Sequence, residues 1–189
     1  MKLINEIVKT QKEFASIRQK IHKNPELGFQ EVATAKLVAG LLGEYGYQVH
    51  EKVGRTGVVA VLKKGNGNKK IGLRADMDAL PMQELAEVPY KSAIPGVMHA
   101  CGHDGHTASL LMAAKYLSKC DFNGQLNLIF QPAEEGSGGA LSMINDGLFE
   151  RFDCDYIFSW HNLPCKKQDK QIFLKKVFFY PHQIVLKLK

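Results

Sequence analysis

Three apolar, strand-like runs in this chain end in acidic or imidazole side chains, a pattern that restricts both its fold and its chemistry. Leu126-Asn127-Leu128-Ile129-Phe130 leads into Gln131-Pro132-Ala133-Glu134-Glu135, Lys70 to Ala75 leads into Asp76 and Asp78, and Asp155 to Ser159 leads into His161. Helical segments lie between and before them. Ile4, Ile7, Val8, Phe14, Ile17 and Ile21 recur at helical spacing and predict an amphipathic helix that ends at Asn24-Pro25. Val32, Ala35, Val38, Leu41 and Leu42 predict a second helix stopped by Gly46, Asp104 to Leu117 a third, and Ala140 to Asn145 a short fourth. Gly57 to Lys64 and Lys70 to Ala75 read as two strands of a hairpin turned at Gly65-Asn66-Gly67-Asn68. Alternating helix and strand implies an α/β sandwich with a mixed sheet. Ligands of such sheets collect beyond the carboxyl ends of the strands, so the three polar clusters are expected to converge.

Composition narrows the function. The chain has 189 residues, 45% of them apolar, which suits one globular domain or part of one. Its formal charge of +6 is local: residues 166–189 hold seven lysines and one acid, and removing them from the 25 basic and 19 acidic residues leaves 18 of each. A nucleic-acid face therefore has no support in the first 165 residues. No run reaches the roughly 20 apolar residues of a membrane span, and the N-terminus lacks the apolar stretch of a secretory signal. A cytoplasmic location is expected, with Cys101, Cys120, Cys154 and Cys165 too scattered for a disulfide framework. Gly136-Ser137-Gly138-Gly139 has neither a Gly-Lys-Ser/Thr ending nor dinucleotide spacing, which argues against nucleotide binding.

The chemistry is concentrated in Cys101-Gly102-His103 and Glu134-Glu135. A thiolate and an imidazole two residues apart on a glycine turn can reach one ion, with Zn–S at about 2.3 Å and Zn–N at about 2.0 Å. Taken alone, Cys-x-His is more often a buried cysteine beside a surface histidine. The further acidic and imidazole sites at strand ends favour the metal. Adjacent glutamates allow one carboxylate to bind an ion while the other moves protons for hydrolysis. Asp76 is placed to orient a ligand imidazole or, alternatively, to cap a turn. His161 follows a strand, where a lone histidine is often structural; His22, His50, His99, His106 and His182 receive no ligand assignment.

These residues resemble the amidohydrolase branch of the aminoacylase and carboxypeptidase family of two-metal enzymes. The resemblance runs through His22-Lys23-Asn24-Pro25-Glu26-Leu27-Gly28-Phe29, Thr56 to Val59, Arg74 to Pro81, His99 to Thr107, Phe130 to Glu135 and Trp160-His161-Asn162, and covers roughly residues 10 to 176. It implies a zinc-peptidase-like α/β/α catalytic domain. It implies Cys101, His103, Glu135 and His161 as metal ligands, Glu134 as general base and acid, and Asp76 as the catalytic aspartate behind the ligands. It implies two divalent metal ions, zinc or else manganese or cobalt, and a small-molecule substrate that is an N-acyl amino acid such as benzoyl-glycine. Related acyl specificities, acetylated amino acids or acetylated diaminopimelate, and a non-catalytic metal-binding remnant are the alternatives. Members are about twice as long, with a lid and dimerisation domain and a last histidine ligand beyond the part present here. Residues 1–176 are thus expected to be the N-terminal part of the catalytic domain, truncated before that lid, and unable to turn over alone. The longer form is expected to be a homo-oligomer. From Val177 the similarity stops, so 177–189 is expected to be a non-family tail of frameshifted origin.

Overall fold

The computed structural model describes residues 4–162, 177–180 and 183–186. Helix α1 (Asn5–Lys23) buries Phe14, Ile21 and His22 and stops where the Asn24 side chain donates to the Lys20 carbonyl at 2.8 Å, just before Pro25. Helix α2 (Val32–Glu44) buries Val38 and Leu42. Its first free N–H groups, on Ala33 and Thr34, donate to the Glu26 carboxylate at 2.9 and 2.8 Å, so the cap comes from outside the helix. Both helices match the periodicity of their apolar residues.

Five strands form one sheet: β1 (Gln48–Val53), β2 (Gly57–Lys64), β3 (Lys70–Asp76), β4 (Gly124–Gln131) and β5 (Tyr156–Ser159), in the order β1-β2-β4-β3-β5. The expected hairpin between Gly57–Lys64 and Lys70–Ala75 does not form. Strand β4 lies between them, antiparallel to β2 with Ala60 opposite Leu128, and parallel to β3 with Leu73 opposite Leu128. The reason is burial: from Leu126 to Gln131 every residue of β4 is buried, so it belongs in the middle, where apolar side chains cover both faces. The Gly65–Asn68 turn then only redirects the chain. Strand β1 has one buried residue, Val53, and its weak alternation explains why it escaped the sequence reading.

Helix α3 (His103–Leu117) carries the chain from β3 to β4, while α4 (Gly139–Asn145) and α5 (Leu148–Arg151) carry it from β4 to β5. One core, with Phe14, Val38, Leu42, Val58, Leu110, Leu111, Leu128 and Phe130, fills the space among α1, α2, α3 and the sheet. A second, with Val53, Val59, Ile129, Met143, Leu148 and Phe152, lies under α4 and α5. Neighbouring residues of one strand, Leu128 and Ile129, thus serve opposite cores, and the result is the expected three-layer α/β/α sandwich. Strands β6 (Val177–Tyr180) and β7 (Gln183–Leu186) form a separate antiparallel pair. The boundary expected at 176 falls outside the described residues. Among the described residues no helix is long and apolar enough to cross a membrane.

Leu128 is fully buried at the centre of the sheet. Leu128→Ala is expected to lower the free energy of unfolding by about 2–5 kcal/mol, read as a lower urea midpoint with an unchanged slope.

Candidate metal centre

Strands β4, β3 and β5 are parallel neighbours, with Asp76 opposite Gln131 and Arg74 opposite Ser159, so their carboxyl ends lie side by side. Asp76 closes β3, Glu134 and Glu135 follow β4, and His161 follows β5. Cys101 and His103 approach from the N-terminus of α3. Between them Gly102 adopts φ +86°, and a Cβ there would stand 2.9 Å from the Asn162 side-chain oxygen. That backbone angle and that close approach both call for glycine.

His103 is fully buried. Its Nδ1 donates to the Asp78 carbonyl at 2.9 Å and lies 3.2 Å from Asp78 Oδ1, a network that makes Nε2 the nitrogen to lose its proton and offer a lone pair when the ring is neutral. His103 Nε2 is buried with no hydrogen-bond partner among the described residues, and so is Glu135 Oε1, 3.8 Å away. Cys101 Sγ, His103 and Glu135 offer ligand atoms all within 4.8 Å of one another. Atoms bound at 2.0–2.3 Å to one tetrahedral ion stand about 3.3–3.8 Å apart. Buried polar atoms in proteins are as a rule hydrogen-bonded, so two orphans facing each other beside a thiol fit a divalent ion. A second group of potential ligands, Asp76, His103, His106 and His161, shares His103 with the first.

Buried carboxylates hold the glutamate loop on both sides of Glu134. Glu31, fully buried at the start of α2, accepts the Ala133 N–H at 2.8 Å and the Thr56 hydroxyl at 2.5 Å. Asp78 Oδ2 accepts the Glu135 N–H at 3.0 Å. Ala133 sits at φ +48°, an unusual angle for a residue with a Cβ, and its carbonyl accepts the Gly139 N–H at 3.0 Å. Gly139 is required there, since a Cβ would collide with the Pro132 carbonyl oxygen. Burial raises the Glu31 carboxyl above its ordinary value, against the hydrogen bonds from Thr56 and Ala133.

Asp76 is fully buried, with Oδ2 accepting from Arg74 at 2.7 Å and Oδ1 accepting from His106 Nδ1 at 2.6 Å. Burial opposes its ionisation, yet the His106 bond and the Arg74 charge hold it well below the usual carboxylate range. The contact expected of Asp76, a carboxylate on the outer nitrogen of a ligand imidazole, is made by Asp78. Asp76 lies on the other side of the ring, its Oδ1 3.7 Å from His103 Nε2. Burial lowers the His103 pKa, but the Asp78 hydrogen bond and the charges of Asp76, Asp78 and Glu134 outweigh it and raise it to about 9. Cys101 is pushed up to about 12 by burial, then by Glu135 and the charges of Glu134 and Asp76. Burial also raises Glu134, with Arg74 pulling the other way; its Oε2 lies 3.7 Å from His103 Nε2 and its side chain is 35% exposed, which leaves it open to a substrate.

His161, although exposed, is near the others: Nε2 lies 3.7 Å from Cys101 Sγ and Nδ1 donates to the Asn162 carbonyl at 2.8 Å. The structure therefore brings together Asp76, Cys101, His103, Glu134, Glu135 and His161. It adds Asp78, Glu31 and His106, to which the sequence reading gave no role. Asp78 shared the strand-end signal with Asp76; Glu31 gave none, its bonded partner being 102 residues away.

The chain is 66% identical to a hippurate hydrolase of Campylobacter jejuni over 176 residues, which are 93% of this chain and 46% of that one. It is 47% identical to thermostable carboxypeptidase 2 of Saccharolobus solfataricus over 85% of its own length and 42% of the relative's. It thus spans less than half the length of these relatives. A solved dinuclear metal-binding peptidase of the M20 family from Bacillus subtilis superposes with a TM-score of 0.77 at 38% identity, covering 83% of this chain and 44% of that one. The sequence pattern of Peptidase family M20/M25/M40 matches residues 72–177, more than half of the chain, and the chain belongs to that family.

Proposed function

We propose that this chain is the metal-holding part of a hydrolase that cleaves the amide bond of N-acylated amino acids, with benzoyl-glycine as the substrate to test first. The observation that carries the reading is the pair of buried, unpartnered atoms, His103 Nε2 and Glu135 Oε1, beside Cys101 and the half-buried Glu134. The name of the Campylobacter jejuni relative supports the substrate class. Cys101, His103, Glu135 and His161 would hold divalent ions, two by analogy with the Bacillus subtilis neighbour. A thiolate favours zinc, while the carboxylates also accept manganese or cobalt. Bound there, the ions would polarise the scissile carbonyl and acidify water.

The protein's own groups supply the rest. Glu134, with its carboxyl raised by burial, takes a proton from water at neutral pH and delivers it to the departing amide nitrogen. Asp78 fixes the His103 tautomer so that Nε2 faces the ions. Glu31 and Asp78 hold the backbone on either side of Glu134 and keep its carboxylate aimed. The products are a carboxylic acid and an amino acid, benzoate and glycine from benzoyl-glycine. The division of the chain into a catalytic-domain part, residues 1–176, and a tail is supported by the family match ending at residue 177.

The purified chain is expected to retain about two divalent ions by elemental analysis, and Cys101→Ser to weaken their binding. A wild-type chain that binds none would favour a metal-free, partner-binding remnant. Ligation requires Cys101 and His103 to lose protons held to about 12 and about 9, so binding releases protons. The apparent affinity is expected to climb with pH, by about tenfold per pH unit for each proton released. Titrations with zinc at pH 6, 7 and 8 check the sign, and a flat profile would contradict the ligand assignment.

In a polypeptide extended to the relatives' length, benzoyl-glycine hydrolysis is expected to exceed that of acetylated amino acids. Glu134→Gln should reduce kcat by about 10²–10⁴-fold with little change in KM. The reverse substrate preference would move the assignment to an aminoacylase or an N-acetyl-diaminopimelate deacetylase.

A further inference from the structure

His106 is 5% exposed, one turn into α3, and both of its ring nitrogens are engaged. Nδ1 donates to Asp76 Oδ1 at 2.6 Å, so Nε2 is the acceptor of the Asn162 backbone N–H at 3.1 Å. Asp76 is anchored in turn by Arg74 at 2.7 Å, and Arg74 by two bonds to Gln131 Oε1 at 2.9 and 2.7 Å. At the far end the same residue, Asn162, presents its carbonyl to His161 Nδ1 at 2.8 Å. A proton on that nitrogen leaves Nε2 of His161 bare and 3.7 Å from Cys101 Sγ. The His106 and His161 rings pack edge to face, 4.7 Å between centroids.

We propose that His106 is a positioning residue, whose ring bridges the Asp76 carboxylate and the Asn162 amide so that the Asn162 carbonyl turns His161 Nε2 toward the ion site. The proposal rests on the metal reading above and gives Asp76 a role at one remove from the ions. With both nitrogens committed, His106 is not itself a ligand. The arrangement reaches from the end of β3, through α3, to the segment after β5, where no secondary structure fixes His161. An exposed side chain on such a segment would otherwise sample several rotamers and lose affinity for an ion through that freedom.

The test is cobalt(II) titration of the 189-residue chain, followed by its visible spectrum. The variants are His106→Gln, His106→Asn, His161→Ala, and His106→Asn combined with His161→Ala. The glutamine oxygen can take the place of Nε2 and accept the Asn162 N–H; the asparagine amide can only replace Nδ1 toward Asp76. His106→Asn is expected to weaken cobalt binding roughly ten- to a hundredfold, and His106→Gln to recover most of it. In the His161→Ala background, His106→Asn should cause no further loss. Equal behaviour of Gln and Asn, or additive losses in the double variant, would overturn the proposal. Loss of one bound ion in both His106 variants would instead make His106 a ligand and overturn it too. A wild-type chain that binds no cobalt defeats the metal reading itself, a result distinct from either.

Discussion

Strand β4 pairs with β2 along one edge and β3 along the other, and that single insertion decides which side chains meet. Were β2 and β3 a hairpin, β4 could pair with β3 only along the edge that β5 now holds. With β4 beside β3, and β5 on β3's far side, three carboxyl ends converge, and crossovers on opposite faces open a crevice between them. The driving force is apolar: Leu128 and Phe130 face one core and Ile129 the other, so the strand is stable only when covered on both sides.

The crevice concentrates negative charge. Asp76, Asp78, Glu134 and Glu135 surround His103, and among the described residues Arg74 is the one arginine or lysine bonded directly to any of the four. Like charges at this density in a partly buried site repel strongly. The protein distributes the load unevenly. Asp76 and Asp78 are stabilised as anions by hydrogen bonds, Glu134 is left with a raised pKa, and Glu135 Oε1 has no hydrogen-bond partner among the described residues. That gradient from committed to uncommitted carboxylate separates the groups that support the site from those that do its chemistry.

Much of this was legible in the sequence. Helices α1 and α2 announced themselves by period and the strand ends by abrupt polar residues, and the spacing of Cys101 and His103 marked them as candidate ligands, whereas the short α5 gave no signal. What sequence could not resolve was pairing over distance. The Gly65–Asn68 turn has residues that suit a hairpin, but β4, arriving some fifty residues later, takes the position between the two strands. Asp76 and Asp78 are indistinguishable by pattern, and only the side of the His103 ring that each faces separates them. Glu31 reads as an ordinary acid at a helix start, because the amide that it holds lies on another element. His106 reads as the next polar residue on a helix, because its partners come from two different strand ends.

Gly102 joins these separate supports at one point. It lies between two of the proposed ligands, its left-handed backbone starts α3, and its missing side chain leaves the space occupied by Asn162, whose carbonyl steadies a third. A methyl group at this position would press on the Asn162 side chain and strain the turn, and so disturb Cys101, His103 and His161 together. Mutational robustness is therefore distributed unevenly around the centre: each flanking support can weaken by degrees, whereas residue 102 is a single point of failure for ligands drawn from distant parts of the chain.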